Sequence, residues 1–214
     1  MCGGPTGRRF FVRDLNSKSG VIIPVPKAFP AKVIICAKHQ IDAHALSGVT
    51  HILSIEDPEI PKTTPPWFRG VHRQIQFHDT ESEEEAKLLD LVAPTAAQIK
   101  EILNFGMEFS ANAAAGSSVL LVHCAAGACR SPAATYAILA QHFGAGHARE
   151  ALNYVMRIRP EAFPNRRMVK FADELLGFNG EMLEALAPLR YQFNKMVDES
   201  IVNFRFKSER NIRK

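Results

Sequence analysis

Val119-Leu120-Leu121-Val122-His123-Cys124-Ala125-Ala126-Gly127-Ala128-Cys129-Arg130-Ser131-Pro132 is the stretch that decides how this chain folds. Its four leading apolar residues predict a buried strand, and the alanine-rich run from Ala133 to Ala140 predicts a helix. A strand, a loop of small residues and a helix N-terminus together make an anion site. Ala125, Ala126, Gly127, Ala128 and Cys129 separate Cys124 from Arg130 as C-x5-R. Side chains this small let successive backbone N–H groups turn toward one oxyanion. Gly127 supplies a positive φ without a Cβ clash, and Arg130 can grip two anion oxygens with its planar fork. Cys124 then sits beneath a phosphorus-sized atom at the positive end of a helix, where a thiolate is favoured.

The spelling H-C-x-x-G-x-x-R-S resembles the signature loop of the cysteine-dependent protein tyrosine and dual-specificity phosphatases. The likeness extends over about residues 31 to 177. It takes in the strand before the loop, the helix after it, Arg159-Pro160 and Phe163-Pro164-Asn165, and it points to the small bacterial dual-specificity-like branch. It implies an α/β fold with a mostly parallel central sheet flanked by helices. It also implies Cys124 as nucleophile, Arg130 and the amides of residues 125–129 as the phosphate cradle, and Ser131 as the hydroxyl that helps the sulfur leave. His123 orders the loop and tunes the thiolate. Asn165 braces the loop region, while Arg157 and Arg159 read as structural.

Asp79, in a loop after a strand and upstream of the nucleophile, matches the position of the general acid. Asp57, Asp90 and Glu81 are alternatives: Asp57 lies on a proline-rich loop, and Asp90 in the run Leu88-Leu89-Asp90-Leu91, which reads as structural. The interval from Asp79 to Cys124 is about a dozen residues longer than in the family, which calls for an insertion within residues 80–93. Cys129 follows the nucleophile closely enough for a reversible Cys124–Cys129 disulfide, with a small residue that simply fits the loop as the plainer reading.

The 214 residues suit one domain with appendages. We divide them into an N-terminal arm (1–30), a catalytic domain (31–178) and a helical, basic C-terminal extension (179–214). Apolar residues at 46% and charged residues at 22% describe an ordinary globular chain. No apolar run reaches membrane-span length, and Gly3, Gly4, Arg8 and Arg9 do not open a signal peptide. Four cysteines are too few for a disulfide scaffold, and a thiolate catalyst needs a reducing compartment, so the cytoplasm is expected. The net charge of +4 resides in residues 201–214, where Arg205, Lys207, Arg210, Arg213 and Lys214 face Glu209 alone. An acidic partner is one reading of that tail and a solvated end the other. No tetrahedral zinc spacing is present and the chemistry needs no metal or other cofactor.

Further strands are expected at Val33–Cys36, His51–Ile55 and Val71–Phe77, with an edge strand at Val21–Val25. Helices are expected from Ile41 to Leu46, from Pro94 in a first turn through Phe109, from Ser131 to Phe143, from His147 to Arg157, from Arg166 to Leu176 and again after Gly180. Thr80 with Glu83 reads as a capping box, and Ser131-Pro132 as an N-cap followed by N1.

The expected activity is metal-independent hydrolysis of phosphotyrosine in proteins, with phosphoserine and phosphothreonine as further substrates. The loop carries no lysine, which argues against polyanionic inositol lipids. A rhodanese-like sulfurtransferase is the alternative, although it uses a shorter loop. A phosphoprotein-binding module with weak turnover is another, opposed by intact Cys124, Arg130 and Ser131.

Overall fold

The computed structural model describes residues 28–113 and 117–191. The strand expected at Val21–Val25, most of the N-terminal arm and the basic tail lie outside the described residues. Four short apolar segments form one wholly parallel sheet: β1 (Lys32–Ala37), β2 (His51–Glu56), β3 (Val71–Gln76) and β4 (Val119–Cys124), in the order β1-β4-β2-β3. β4 is buried along its whole length because it pairs on both sides, Ala37 facing Cys124 and Ser54 facing His123 across the ladders. A strand buried on both faces reads as a continuous apolar run, which is why Val119–Val122 is so legible.

Helices α2 (Ala96–Asn112), α3 (Arg130–Phe143), α4 (Ala148–Ile158) and α5 (Arg166–Leu176) cover one face. α3 is buried from Arg130 through Ala140. Its alanines allow close approach, as does Gly106 on α2: a Cβ there would lie 2.8 Å from Ile138. The other face is thinner. A 3-10 turn (Lys38–His44) stands where a short helix was expected, and Ile41 and Phe68 pack there against Ile34, Cys36, Ile52 and Leu121. Residues 181–191 are helical. Met182, Ala185 and Leu186 enter the main core, and the Tyr136 hydroxyl donates to the Met182 carbonyl at 3.1 Å.

Three local expectations are corrected. Ser82, not Thr80, caps the short helix α1 (Glu83–Leu88): its hydroxyl accepts the Glu85 N–H, while Thr80 turns inward and is fully buried. Pro94 precedes the long helix, whose N-cap is Thr95 in a capping box with Gln98. Cys129 is the N-cap of α3, so Arg130, Ser131 and Pro132 all fall in its first turn, where proline's missing N–H costs no hydrogen bond. The run Leu88-Leu89-Asp90-Leu91 is no buried stripe either: Leu88 and Leu89 are exposed, and Asp90 turns the chain with φ 53°.

The long interval after Asp79 has a simple form. The His78 N–H donates to the Val92 carbonyl at 2.8 Å, and the Val92 N–H returns to His78 Nδ1 at 2.9 Å. Residues 79–91 therefore leave the sheet and come back to the same point, carrying α1 with them.

Candidate active site

Parallel strands bring their C-terminal ends to one edge, and loops at that edge form the crevice of an open α/β sheet. Here the edge collects Ala37 from β1, Glu56 and Asp57 from β2, Phe77 to Asp79 after β3, and Cys124 from β4. The loop after Cys124 turns at Gly127 with φ 70°. A Cβ at Gly127 would stand 2.6–2.8 Å from backbone atoms of Cys36 and Ala37, so the loop crosses the end of β1 at a distance that only glycine permits.

The carbonyls of this loop are held from outside. Ala125 accepts from the Lys38 N–H at 3.2 Å and Ala128 from the Phe163 N–H at 2.7 Å. Arg159 donates to the carbonyls of Gly127 at 3.1 Å and Ala126 at 3.3 Å. In a trans peptide the C=O and the following N–H point in opposite directions. Outward carbonyls at Ala125, Ala126, Gly127 and Ala128 therefore turn the amides of Ala126, Gly127, Ala128 and Cys129 toward the loop's interior, a nest of donors for one anion.

The Cys124 sulfur is buried and accepts the Ser131 hydroxyl at 3.3 Å. Arg130, 4% exposed at its side chain, spends Nη1 on Asp57 (2.6 Å) and on the Phe77 carbonyl (2.7 Å). Its buried Nε–H meets no acceptor among the described residues. One edge of the guanidinium is thus tied to the sheet, and the other keeps a donor for an oxyanion. Asp57, an alternative acid by sequence, is the partner of this arginine.

Asp79 is exposed and accepts from Asn165 Nδ2 at 2.8 Å. The same amide donates to the Thr80 carbonyl at 3.1 Å, and the Asn165 N–H to the Cys129 carbonyl at 3.2 Å. Asn165 thereby joins the Asp79 loop to the cysteine loop. The Cys129 thiol also donates to Asp79. Burial, and then this carboxylate, push that thiol up to about 12. A thiol held protonated attacks disulfides and sulfenic acids slowly, which weighs against rapid Cys124–Cys129 exchange. Asp90 and Glu59 stand away from the sulfur's immediate partners, Glu59 being paired with His78.

His123 lies on the other face of β4. Its Nε2 meets Ser54 Oγ at 2.5 Å, Ser54 meets His72 Nε2 at 2.8 Å, and His72 Nδ1 meets Thr64 at 2.8 Å. Burial first, then the charges of His72 and Lys38, bring His123 down to about 4. It is therefore neutral near pH 7 and supports the strand that carries the nucleophile. The roles of Asp57, Ser54 and His72 are not visible in sequence. Each lies far along the chain from its partner, and only their common strand-end position betrays them.

Among the described residues no group of three or more His, Cys, Asp or Glu could hold a metal ion. No helix there is long and apolar enough to cross a membrane. No protein-family model and no curated protein matches the chain. Solved structures do. The crystal structure of DUSP15 matches with a TM-score of 0.52 at 22% identity, covering 78% of this chain and 95% of that one. That of human DUSP28 matches with a TM-score of 0.50 at 17% identity, covering 75% and 94%. The chain has the fold of the dual-specificity phosphatases within the cysteine-dependent tyrosine phosphatase superfamily, an α/β fold as its signature loop implied.

Proposed function

We propose that this chain hydrolyses phosphotyrosine in proteins, with phosphoserine and phosphothreonine as secondary substrates, through a phosphocysteine intermediate and without a metal. The observation that carries the reading is the single ring of donors around one sulfur: inward amides of residues 126–129, the free Nε–H of Arg130 and the Ser131 hydroxyl at 3.3 Å from Cys124. Such a ring stabilises the equatorial oxygens of a transferring phosphoryl group.

In the first step the Cys124 thiolate attacks phosphorus, an S–P bond forms and the P–O bond to the tyrosyl oxygen breaks. Asp79 gives its proton to that leaving oxygen. In the second step water attacks phosphorus and passes a proton to the Asp79 carboxylate. The S–P bond then breaks, with the Ser131 hydroxyl donating to the departing thiolate. Asn165 holds Asp79 above the loop, and Arg159 holds the loop carbonyls outward.

The test is hydrolysis of p-nitrophenyl phosphate and of phosphotyrosine and phosphoserine peptides in EDTA. Turnover lost in Cys124→Ser, with the basic limb of the pH profile lost in Asp79→Asn, is expected. Full turnover in Cys124→Ser overturns the reading.

A further inference from the structure

The helix at residues 181–191 lies beyond the region that resembles the phosphatases, yet one of its side chains grips the loop that carries Asp79. Arg190 donates to both oxygens of Glu81, Nη1 at 2.7 Å and Nη2 at 2.5 Å. A planar guanidinium bound through two parallel hydrogen bonds fixes the carboxylate's orientation as well as its position. The same guanidinium lies 4.6 Å from the centroid of the Phe163 ring. Glu81 also accepts the Arg166 N–H at 2.9 Å, at the positive end of α5.

These contacts close a circuit around the site. Glu81 stands two residues from Asp79. Phe163 donates its N–H to the cysteine loop at Ala128, and Asn165, two residues on, bonds Asp79. Arg190 therefore ties together the acid loop and the segment that seats both the acid and the phosphate loop. The helix bearing Arg190 is itself firmly held. Met182 and Leu186 are in the core, and Asp173 accepts the N–H groups of Gly180 (2.6 Å) and Met182 (2.8 Å). Glu181 accepts those of Gly146 (2.7 Å) and Ala148 (2.8 Å). By contrast, the excursion of residues 79–91 leaves the sheet between His78 and Val92, and Glu83, Glu84, Glu85, Leu88 and Leu89 on it face solvent. Such a loop needs an external hold to keep a carboxylate in place.

We propose that Arg190 is a positioning residue for catalysis: through Glu81 it holds the Asp79 loop over the cysteine loop, making the C-terminal helix a working part of the active site. This rests on the phosphatase reading above, with Asp79 as general acid.

The prediction turns on the leaving group. Nitrophenolate departs readily without a proton, whereas phenolate depends on the acid. Displacing Asp79 therefore slows phenyl phosphate far more than p-nitrophenyl phosphate. A positioned general acid contributes about 10²–10⁴-fold. Loosening its loop forfeits part of that, so Arg190→Ala should lower kcat on phenyl phosphate by roughly 10-fold or more. KM should stay near its original value, because the phosphate cradle is untouched. Glu81→Ala should act alike, and the double variant should be no worse than either single one, because both remove one interaction. Arg190→Lys, with a single ammonium in place of the fork, should fall between.

Both esters are assayed on the same preparation. Misfolded protein lowers both rates equally and cancels in their ratio. A ratio of phenyl to nitrophenyl turnover that shifts against phenyl phosphate in Arg190→Ala supports the proposal. An unchanged ratio, or additive losses in the double variant, overturns it while leaving the phosphatase reading in place. A native chain that turns over neither ester overturns both.

Discussion

Removing the carboxylate of Asp57 isolates the charge on which the phosphate site is built. Arg130 is buried in the first turn of α3, at the helix end that repels cations. Asp57 at 2.6 Å is its only salt-bridge partner among the described residues, and the Phe77 carbonyl adds a neutral acceptor. Breaking a fully buried ion pair costs about 3–5 kcal/mol, much of it from the charge left behind. Asp57 is 35% exposed, so water takes over part of its role, and the cost of Asp57→Ala falls to about 2 kcal/mol. For a folded unit of this size, 1 kcal/mol moves Tm by about 2–4 °C, which gives a fall of about 4–8 °C. Asp57→Asn keeps a neutral acceptor and should recover about 1 kcal/mol of that. The assay is thermal unfolding followed by circular dichroism, with and without inorganic phosphate. Phosphate supplies the missing counter-charge, so it should raise Tm more in Asp57→Ala than in the native chain, by mass action. A Tm within 1 °C or so of the native value would refute the reasoning, since a buried guanidinium cannot lose its counter-ion at no cost. So would a phosphate-induced rise smaller in the variant than in the native protein.

Gly127→Ala should abolish phosphate binding by calorimetry while the sheet survives by circular dichroism, because the new Cβ meets backbone at 2.6–2.8 Å and the left-handed φ adds about 1–2 kcal/mol. His123, brought down by burial to about 4 from its ordinary 6.5, takes up its proton at higher pH when unfolded than when folded. Its contribution is therefore present above pH 6.5 and lost as pH falls from 6.5 toward 4, about 3 kcal/mol in all. Urea unfolding of His123→Gln should show a correspondingly shallower acid loss than the native chain. Burial pushes Cys36 and Cys129 up to about 12, so roughly one molecule in 10⁵ carries either thiolate at pH 7. Iodoacetamide mapped by mass spectrometry should label Cys124 ahead of both, with phosphate protecting it; labelling of Cys129 first would contradict its pairing with Asp79.

The amino-acid sequence alone determined the strand–loop–helix unit around Cys124, and with it the α/β class. The reason is local. A doubly buried strand must be apolar throughout, a tight anion loop must be small-sided, and a cysteine and an arginine five residues apart straddle one oxyanion. The three further strands and the faces of α2 and α5 were legible for similar reasons, since period and burial are properties of neighbouring residues. Cap positions were less so: Ser82 and Thr95 took the roles expected near Thr80 and Pro94, because several adjacent polar residues could each satisfy the same end groups. Only the tertiary structure decided the partners brought from afar. It set Asp57 against Arg130, Arg159 and Phe163 on the loop carbonyls, Asn165 on Asp79, and Arg190 on Glu81. Each of these pairs spans 32 or more positions of chain. Their meeting depends on the parallel order β1-β4-β2-β3 bringing strand ends to one edge, and on the last helix returning across it. A carboxylate's sequence neighbours say that it is charged; which cation it faces is set by the path of the whole chain.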